Sequence, residues 1–356
     1  MTLDTAKTSA FEQQLVNSLN AGAVCLMTSI GHRTGLFDTM TDVPGSTPAE
    51  IAQRAGLNER YVREWLGAMT VGAVVEHEPQ TNSYTLPPEH AGMLTRDAGA
   101  DNFAVFAQYI GQLGCVETDI VDCFRNGGGV SYDKFDRFHE IMAEDSGQSV
   151  LPALADHILP LVPGIKGRLE SGIEVLDVGC GRGRALQLLA QTYPNSTFTG
   201  YDLSDEAINY ARMAATAADL NNLHFEVRDL SDFDVTAPAT TFDFITTFDA
   251  IHDQARPLRV LTGIARALKG DGIYLMQDID ASTHHHKNLD HPLGPLLYTI
   301  SCMHCMTVSL AQGGDGLGAM WGEEQATDLL SAAGFRQTDI HRLEHDIQNA
   351  YYVSRK

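Results

Sequence analysis

One run constrains this chain more than any other: Val175-Leu176-Asp177-Val178-Gly179-Cys180-Gly181-Arg182-Gly183. Its first half reads as a short buried strand, and an apolar helical pattern follows over Ala185–Thr192. Glycines at alternate positions let the backbone turn sharply and come close to a ligand. The flanking pattern repeats that arrangement. Strands are expected at 174–178, 197–201, 223–227, 242–248 and 272–277, and helices at 185–192, 206–217 and 257–268. Strands separated by helices imply βαβ units and a parallel sheet. One more helix is expected at 323–333, then two strands near 337–342 and 350–353. The fold class is therefore α/β: a Rossmann-like, mostly parallel, seven-stranded sheet with helices on both faces.

The spacing of the glycines bears on the ligand. A dinucleotide fold places glycines at 0, 2 and 5, but Arg184 occupies the third place. Asp177, two residues before the first glycine, would repel a pyrophosphate. It suits a ligand with an ammonium and a sulfonium, and S-adenosylmethionine (SAM) carries both without phosphate. Asp202 ends the second strand about 20 residues on, where an acid reaches ribose hydroxyls. Asp229, after the third strand, is a candidate for the adenine amino group, or equally a turn or cap residue.

The N-terminal part has a different character. Leu15, Leu19, Val24, Leu26 and Ile30 mark an apolar helix. Ser46-Thr47-Pro48-Ala49-Glu50 is a helix start, Gly56 a stop, and Asn58 a cap for a helix carrying Val62, Leu66 and Met69. Strands at Val74-Val75 and Tyr84–Leu86 complete a helix, turn, helix, hairpin order, that of a winged helix. We expect a mainly α winged-helix and dimerisation domain over 1–95. A helical linker and lid over 96–165 follows, with Phe135, Phe138, Ile141 and Met142 on one helix face. The ligand-binding domain spans 166–356, with a capping insert at 283–320.

These residues together resemble a known family. Glu174–Gly183, Asp202, Asp229 and Phe242–Asp253 are similar to the class I SAM-dependent methyltransferases, and the N-terminal winged helix resembles their small-molecule O-methyltransferases. The run Gly313–Gly322 resembles a largely uncharacterised subgroup. The resemblance implies a SAM-dependent methyltransferase that releases S-adenosylhomocysteine and acts on a small-molecule acceptor. Asp177, Gly179, Cys180, Gly181 and Gly183 would hold the methionine half, and Asp202 and Leu203 the ribose. Asp229 and Leu230 would hold the adenine edge, and Phe248 and Asp249 complete the cofactor set. In that family a His-Asp pair after the fourth strand supplies the catalytic base, and His252-Asp253 matches it. A family glutamate that orients the base is missing: Met320 stands at its place, with Glu323, Glu324 or Asp278 as substitutes. Phe138, Met142, His304 and Cys305 are the acceptor-pocket candidates.

Charge narrows the alternatives. Lys and Arg total 24 against 46 Asp and Glu, a net −22. So acidic a chain repels nucleic acid and anionic lipid. The candidate recognition helix sets Glu59 and Glu64 beside Arg60 and Arg63. A SAM-sensing DNA-binding regulator remains the second reading. N- or S-methylation by proximity, without a base, is a third, and Arg184 and Asp177 tell against an NAD-dependent enzyme. A homodimer is expected through the apolar first helix. The six scattered cysteines fit a reducing cytoplasm, and neither a signal peptide nor a transmembrane helix is expected. His284, His285, His286, His291, Cys302, His304 and Cys305 invite a metal, but a single CxxC lacks a second pair, and none is expected.

Overall fold

The computed structural model describes residues 3–356. It divides into two compact units, Met1–Gly114 and Cys115–Lys356.

In the first unit, α1 (Thr5–Thr34) is 30 residues long, capped by the Asp4 carboxylate and ended by Gly35 at φ 71°. α2 (Leu36–Asp42) leads to α3 (Pro48–Ala55), whose start is a capping box between Thr47 and Glu50. Asn58 caps α4 (Glu59–Val71) by accepting from the Arg60 N–H at 3.0 Å. The Trp65 indole donates to the Met27 carbonyl at 2.8 Å and ties α4 to α1. The wing is β1 (Glu76–Glu78) paired antiparallel with β2 (Ser83–Thr85). The first wing strand thus begins later than the sequence suggests. The Val74 and Val75 amides still bond to the Met69 carbonyl, closing the end of α4 around Ala73 at φ 58°. α5 (Pro88–Leu94) and α6 (Ala104–Gly114) complete the unit, α6 packing along α1.

The second unit begins with α7 (Glu117–Asn126), α8 (Phe138–Ala153) and α9 (Ile165–Ser171). Phe135 lies outside α8, in the turn after Tyr132–Lys134, so the expected helix face is one residue shorter. The chain then alternates: β3 (Glu174–Val178), α10 (Arg184–Thr192), β4 (Thr197–Asp202), α11 (Asp205–Ala217), β5 (Leu223–Val227), α12 (Phe233–Thr236), β6 (Phe242–Phe248), α13 (Pro257–Ala267) and β7 (Leu268–Ile279). α14 (Gly294–Ile300), a π-helical turn over Ser301–Cys305 and α15 (Met306–Ala311) form the insert. α16 (Gly322–Ala332), β8 (Gln337–His341) and β9 (Asn349–Arg355) close the chain.

The sheet order is β5-β4-β3-β6-β7-β9-β8. The first five of these strands run parallel, and β9 is antiparallel to both neighbours. Alternation along each strand builds two cores. Val175, Phe198, Phe244 and Leu275 face one side; Leu176, Val178, Ile245, Tyr274 and Met276 face the other. The strand order reverses between β3 and β6, the point where open α/β sheets bind ligands beyond the strands' carboxyl ends.

Candidate active site

The glycine turn sits at that reversal. Gly179, Gly181 and Gly183 have φ of 75°, 53° and 67°, in the left-handed region that favours glycine. Their surroundings differ. A Cβ on Gly179 would meet Ala250 Cβ at 2.5 Å, and one on Gly183 the Phe225 ring at 2.3 Å. At Gly181 nothing lies within 4 Å, so the backbone faces open space there. The Asp202 carboxylate braces the turn, accepting from the Gly181 N–H and the Ser204 N–H, each at 2.8 Å. Asp177 is buried and accepts from the Thr246 hydroxyl at 2.8 Å. Burial, opposed by the Thr246 bond and aided by Asp202, raises its pKa to about 7. The Arg182 guanidinium pairs with Glu206 at 2.6 Å, and Arg184 donates to the Ala143 carbonyl.

The turn after β6 packs against these glycines and carries the second cluster. Asp249 adopts φ 49°, a backbone region uncommon for a non-glycine residue and often used at functional sites. His252 Nδ1 and Asp278 Oδ1, both buried, are 2.7 Å apart. The same oxygen accepts from the Trp321 indole at 3.0 Å and the Ile279 N–H at 2.9 Å. Burial works against charge on the imidazole, but the negative charge of Asp278, then Cys305 beside it, outweighs it, and the His252 pKa lies well above 6.5. Burial raises the Asp253 carboxyl to about 6. Asp249, His252 and Asp278 are also the one His/Cys/Asp/Glu group among the described residues with ligand-type atoms all within 4.8 Å. The His252–Asp278 separation is of hydrogen-bond length.

A third cluster adjoins it. His304, on the π-helical turn, lies flat on the Phe138 ring, centroids 3.4 Å apart at 7°. Tyr132 and Phe135 meet it edge-on at 5.1 and 4.7 Å. Tyr132 also stacks on His139 at 4.9 Å. The Val130 N–H donates to the Thr307 hydroxyl at 2.7 Å, fixing this segment to α15. Burial, then Asp253, Asp202, Cys305 and Glu206, push the Tyr132 hydroxyl well above its usual range. The segment before α8 therefore lies near both the glycine turn's acids and His252.

Comparison with known proteins agrees with this arrangement. Residues 22–96 match the Rv2258c-like winged HTH domain, and residues 169–334 match a methyltransferase domain. The chain carries a winged helix and a class I methyltransferase domain. A fatty-acid O-methyltransferase of Mycolicibacterium smegmatis is 34% identical over 107 residues, which cover 30% of this chain and 37% of that protein. Across the first curated relatives the match spans from about a third to just over half of their length. Among solved structures, an O-methyltransferase described as putative, from Nostoc punctiforme, covers all of both chains with a TM-score of 0.72 at 17% identity. Human N-acetylserotonin methyltransferase, solved with SAM, covers 99% of both with a TM-score of 0.65 at 18% identity.

Within the methyltransferase domain, the sequence candidates fall into two groups. Asp177, Gly179, Cys180, Gly181, Gly183 and Asp202 assemble around the glycine turn, with Phe248 and Asp249 at the end of β6 beside it. Leu203 is exposed, and Leu230 is buried in a core. Asp229 is exposed and accepts from its own Ser231 N–H at 2.8 Å, as a turn residue does. His252, Asp253, Cys305, His304 and Phe138 form the second group, while Met142 is half-buried one turn along α8.

Of the three substitutes for the absent glutamate, Asp278 holds His252. Glu323 pairs with Arg342, and Glu324 with Lys287 and Ser282. Met320 is buried among apolar neighbours. His291 is held by backbone at both ring nitrogens, and His284, His285 and His286 are exposed. Tyr132, His139 and Trp321 escaped the sequence reading as site residues. Only the aromatic density of 132–139 hints at the first two, and Trp321 sits in the glycine-rich run Gly313–Gly322.

Proposed function

We propose that this chain is a SAM-dependent methyltransferase acting on the hydroxyl of a small molecule, with His252 as general base. The observation carrying this reading is the buried 2.7 Å His252–Asp278 pair, set after β6 where the following turn touches the glycine turn through Gly179 and Ala250. The glycine turn suits SAM: Gly181 is open to a ligand, and Asp177 and Asp202 offer carboxylates to an ammonium and a ribose. Bound SAM supplies an electrophilic methyl carried by a sulfonium. Asp278 holds the imidazole through Nδ1 and fixes its orientation, so Nε2 is the nitrogen that takes the acceptor's proton. Trp321 and the Ile279 amide hold Asp278 in turn. Burial of the pair excludes water from the proton's path.

The winged helix is read as a dimerisation module. Arg60 pairs with Glu64, and Arg63 with Glu59, so the helix that would read DNA has its cations neutralised on its own surface.

Titration calorimetry tests the cofactor first: micromolar SAM affinity is expected, and no SAM binding would overturn the reading. His252→Ala should leave that affinity intact and lower turnover by about 10²–10⁴-fold. Unchanged turnover would leave methyl transfer by proximity, without a base.

A further inference from the structure

Tyr132 stands between the two halves of the site. On one side it stacks on His139, with ring centroids 4.9 Å apart. His139 lies one helical turn before Ala143 on α8, and the Ala143 carbonyl accepts from Arg184, where the glycine turn enters α10. On the other side Tyr132 meets the His304 ring at 5.1 Å, nearly perpendicular. His304 adjoins Cys305, which lies beside His252. A methyl group moving from the glycine turn to an acceptor at His252 has to cross between these halves, so a side chain that touches both flanks its path.

The tip of this side chain is what sets it apart. Phenylalanine at 132 would make the same ring contacts, as Phe135 and Phe138 do beside it. Those two and His304 are buried, whereas Tyr132 is only half-buried. Burial, then Asp253, Asp202, Cys305 and Glu206, keep the phenol protonated well past neutral pH, and each of the four acts across space rather than by a hydrogen bond. The residue therefore offers a neutral oxygen with lone pairs to give. The negative charge that resists a phenolate favours a cation at the same point. The cations nearby are already engaged, Arg182 with Glu206 and His252 with Asp278. Burial holds His139 below its usual value, so that ring is neutral at pH 7. Carboxylates outnumber cations around the hydroxyl.

We propose that Tyr132 is a specificity-determining residue for the cofactor: its hydroxyl oxygen reads the positively charged sulfonium and its methyl, and so distinguishes SAM from the neutral thioether S-adenosylhomocysteine. The proposal rests on the methyltransferase reading above. The methyl hydrogens of a sulfonium are polarised, and a neutral oxygen can accept from them. The thioether product has neither the charge nor the methyl. The stack on His139 fixes the tyrosine ring, so the oxygen is set in place before the cofactor enters.

The test is calorimetry on the full-length protein with three probes: SAM, S-adenosylhomocysteine, and sinefungin, which carries an ammonium in place of the sulfonium methyl. Tyr132→Phe, which keeps the ring contacts, should weaken SAM and sinefungin about 3–30-fold and leave S-adenosylhomocysteine within about twofold. The isotope-labelled methyl of bound SAM, followed by NMR, should shift between wild type and Tyr132→Phe. A role in shape alone would move all three probes together. Equal losses for SAM and S-adenosylhomocysteine, no loss for SAM, or an unmoved methyl resonance would each overturn the proposal. A wild-type protein that binds none of the three would instead overturn the methyltransferase reading beneath it.

Discussion

A histidine held at 2.7 Å from a buried aspartate is both a base and an ion pair, and its protonation decides which. The raised His252 pKa means the ring holds its proton at neutral pH in the free protein. Turnover of a hydroxyl acceptor should therefore climb as pH rises through the neutral and alkaline range. Asp278→Asn should move the inflection of kcat/KM down toward an ordinary histidine value, which a pH–rate profile would show. Stability should respond in the opposite sense. A group whose pKa is raised on folding contributes stability that is fully present below its unfolded value, about 6.5, and lost as pH rises through the folded one. Thermal unfolding should show this loss in the wild type and not in His252→Ala. Asp177 is an acid with a raised value, about 7, so its burial destabilises the protein increasingly as pH rises from about 4 to 7. Asp177→Asn should raise the melting temperature at pH 8 and weaken SAM binding about tenfold. Wild-type SAM affinity should itself fall as pH drops below 7, as the carboxylate takes up its proton. Calorimetry at pH 6 and 8 checks both.

The glycine turn separates stability from binding within one element. Gly183→Ala would drive a methyl group into the Phe225 ring at a strained φ, and should destabilise by about 2–4 kcal/mol. Gly181→Ala meets no atom, so its cost in stability should be about 1 kcal/mol from backbone conformation alone. Its Cβ would project into the space left to a ligand, and SAM affinity should fall by tenfold or more. Denaturant unfolding and calorimetry on the two variants distinguish these effects. This turn was legible from sequence because its geometry demands one residue type at fixed spacing. So were the caps at Thr47 and Asn58, where a side chain bonds its own local backbone. Asp278 stood in the sequence only as one of three substitutes for the absent glutamate, and Trp321 was not legible at all. They meet His252 only after β7 pairs beside β6 and α16 is brought back against the sheet, contacts that join residues far apart in the chain. The aromatic group around His304 has the same cause: residues 132–138 and 304 are linked by packing, and sequence periodicity records nothing of it.

At the scale of the molecule, the mostly parallel seven-stranded sheet and the winged helix before it followed from pattern, because strand and helix periods differ so clearly; the order of the strands did not. The net charge of −22 gave the correct sense of the acidic site edge, though not its position. One large feature stays unpartnered in the single chain. Every described residue from Leu3 to Ala21 is exposed, and Phe11, Leu15 and Leu19 recur every four residues on α1, with Leu19 75% exposed. Such a stripe is expected to be covered by a second copy of the chain. Light scattering should report a dimer, and Leu15→Glu with Leu19→Glu should yield a folded monomer, since neither side chain is in the core. A wild-type monomer would refute it.

The interior place of β9 has a consequence in time. It comes last in chain order among the described strands, yet it lies between β7 and β8 and pairs with β7 from Tyr274 to Ile279, the stretch that carries Asp278. Until residues 349–355 emerge, β7 is an open edge and the aspartate that steers His252 has no lateral support. The glycine turn, built from β3 and β4, can form on the nascent chain well before that. The nucleotide half of the site is thus expected to be ready early in synthesis. The half that holds the His252–Asp278 pair is expected to be completed only once β9 has paired.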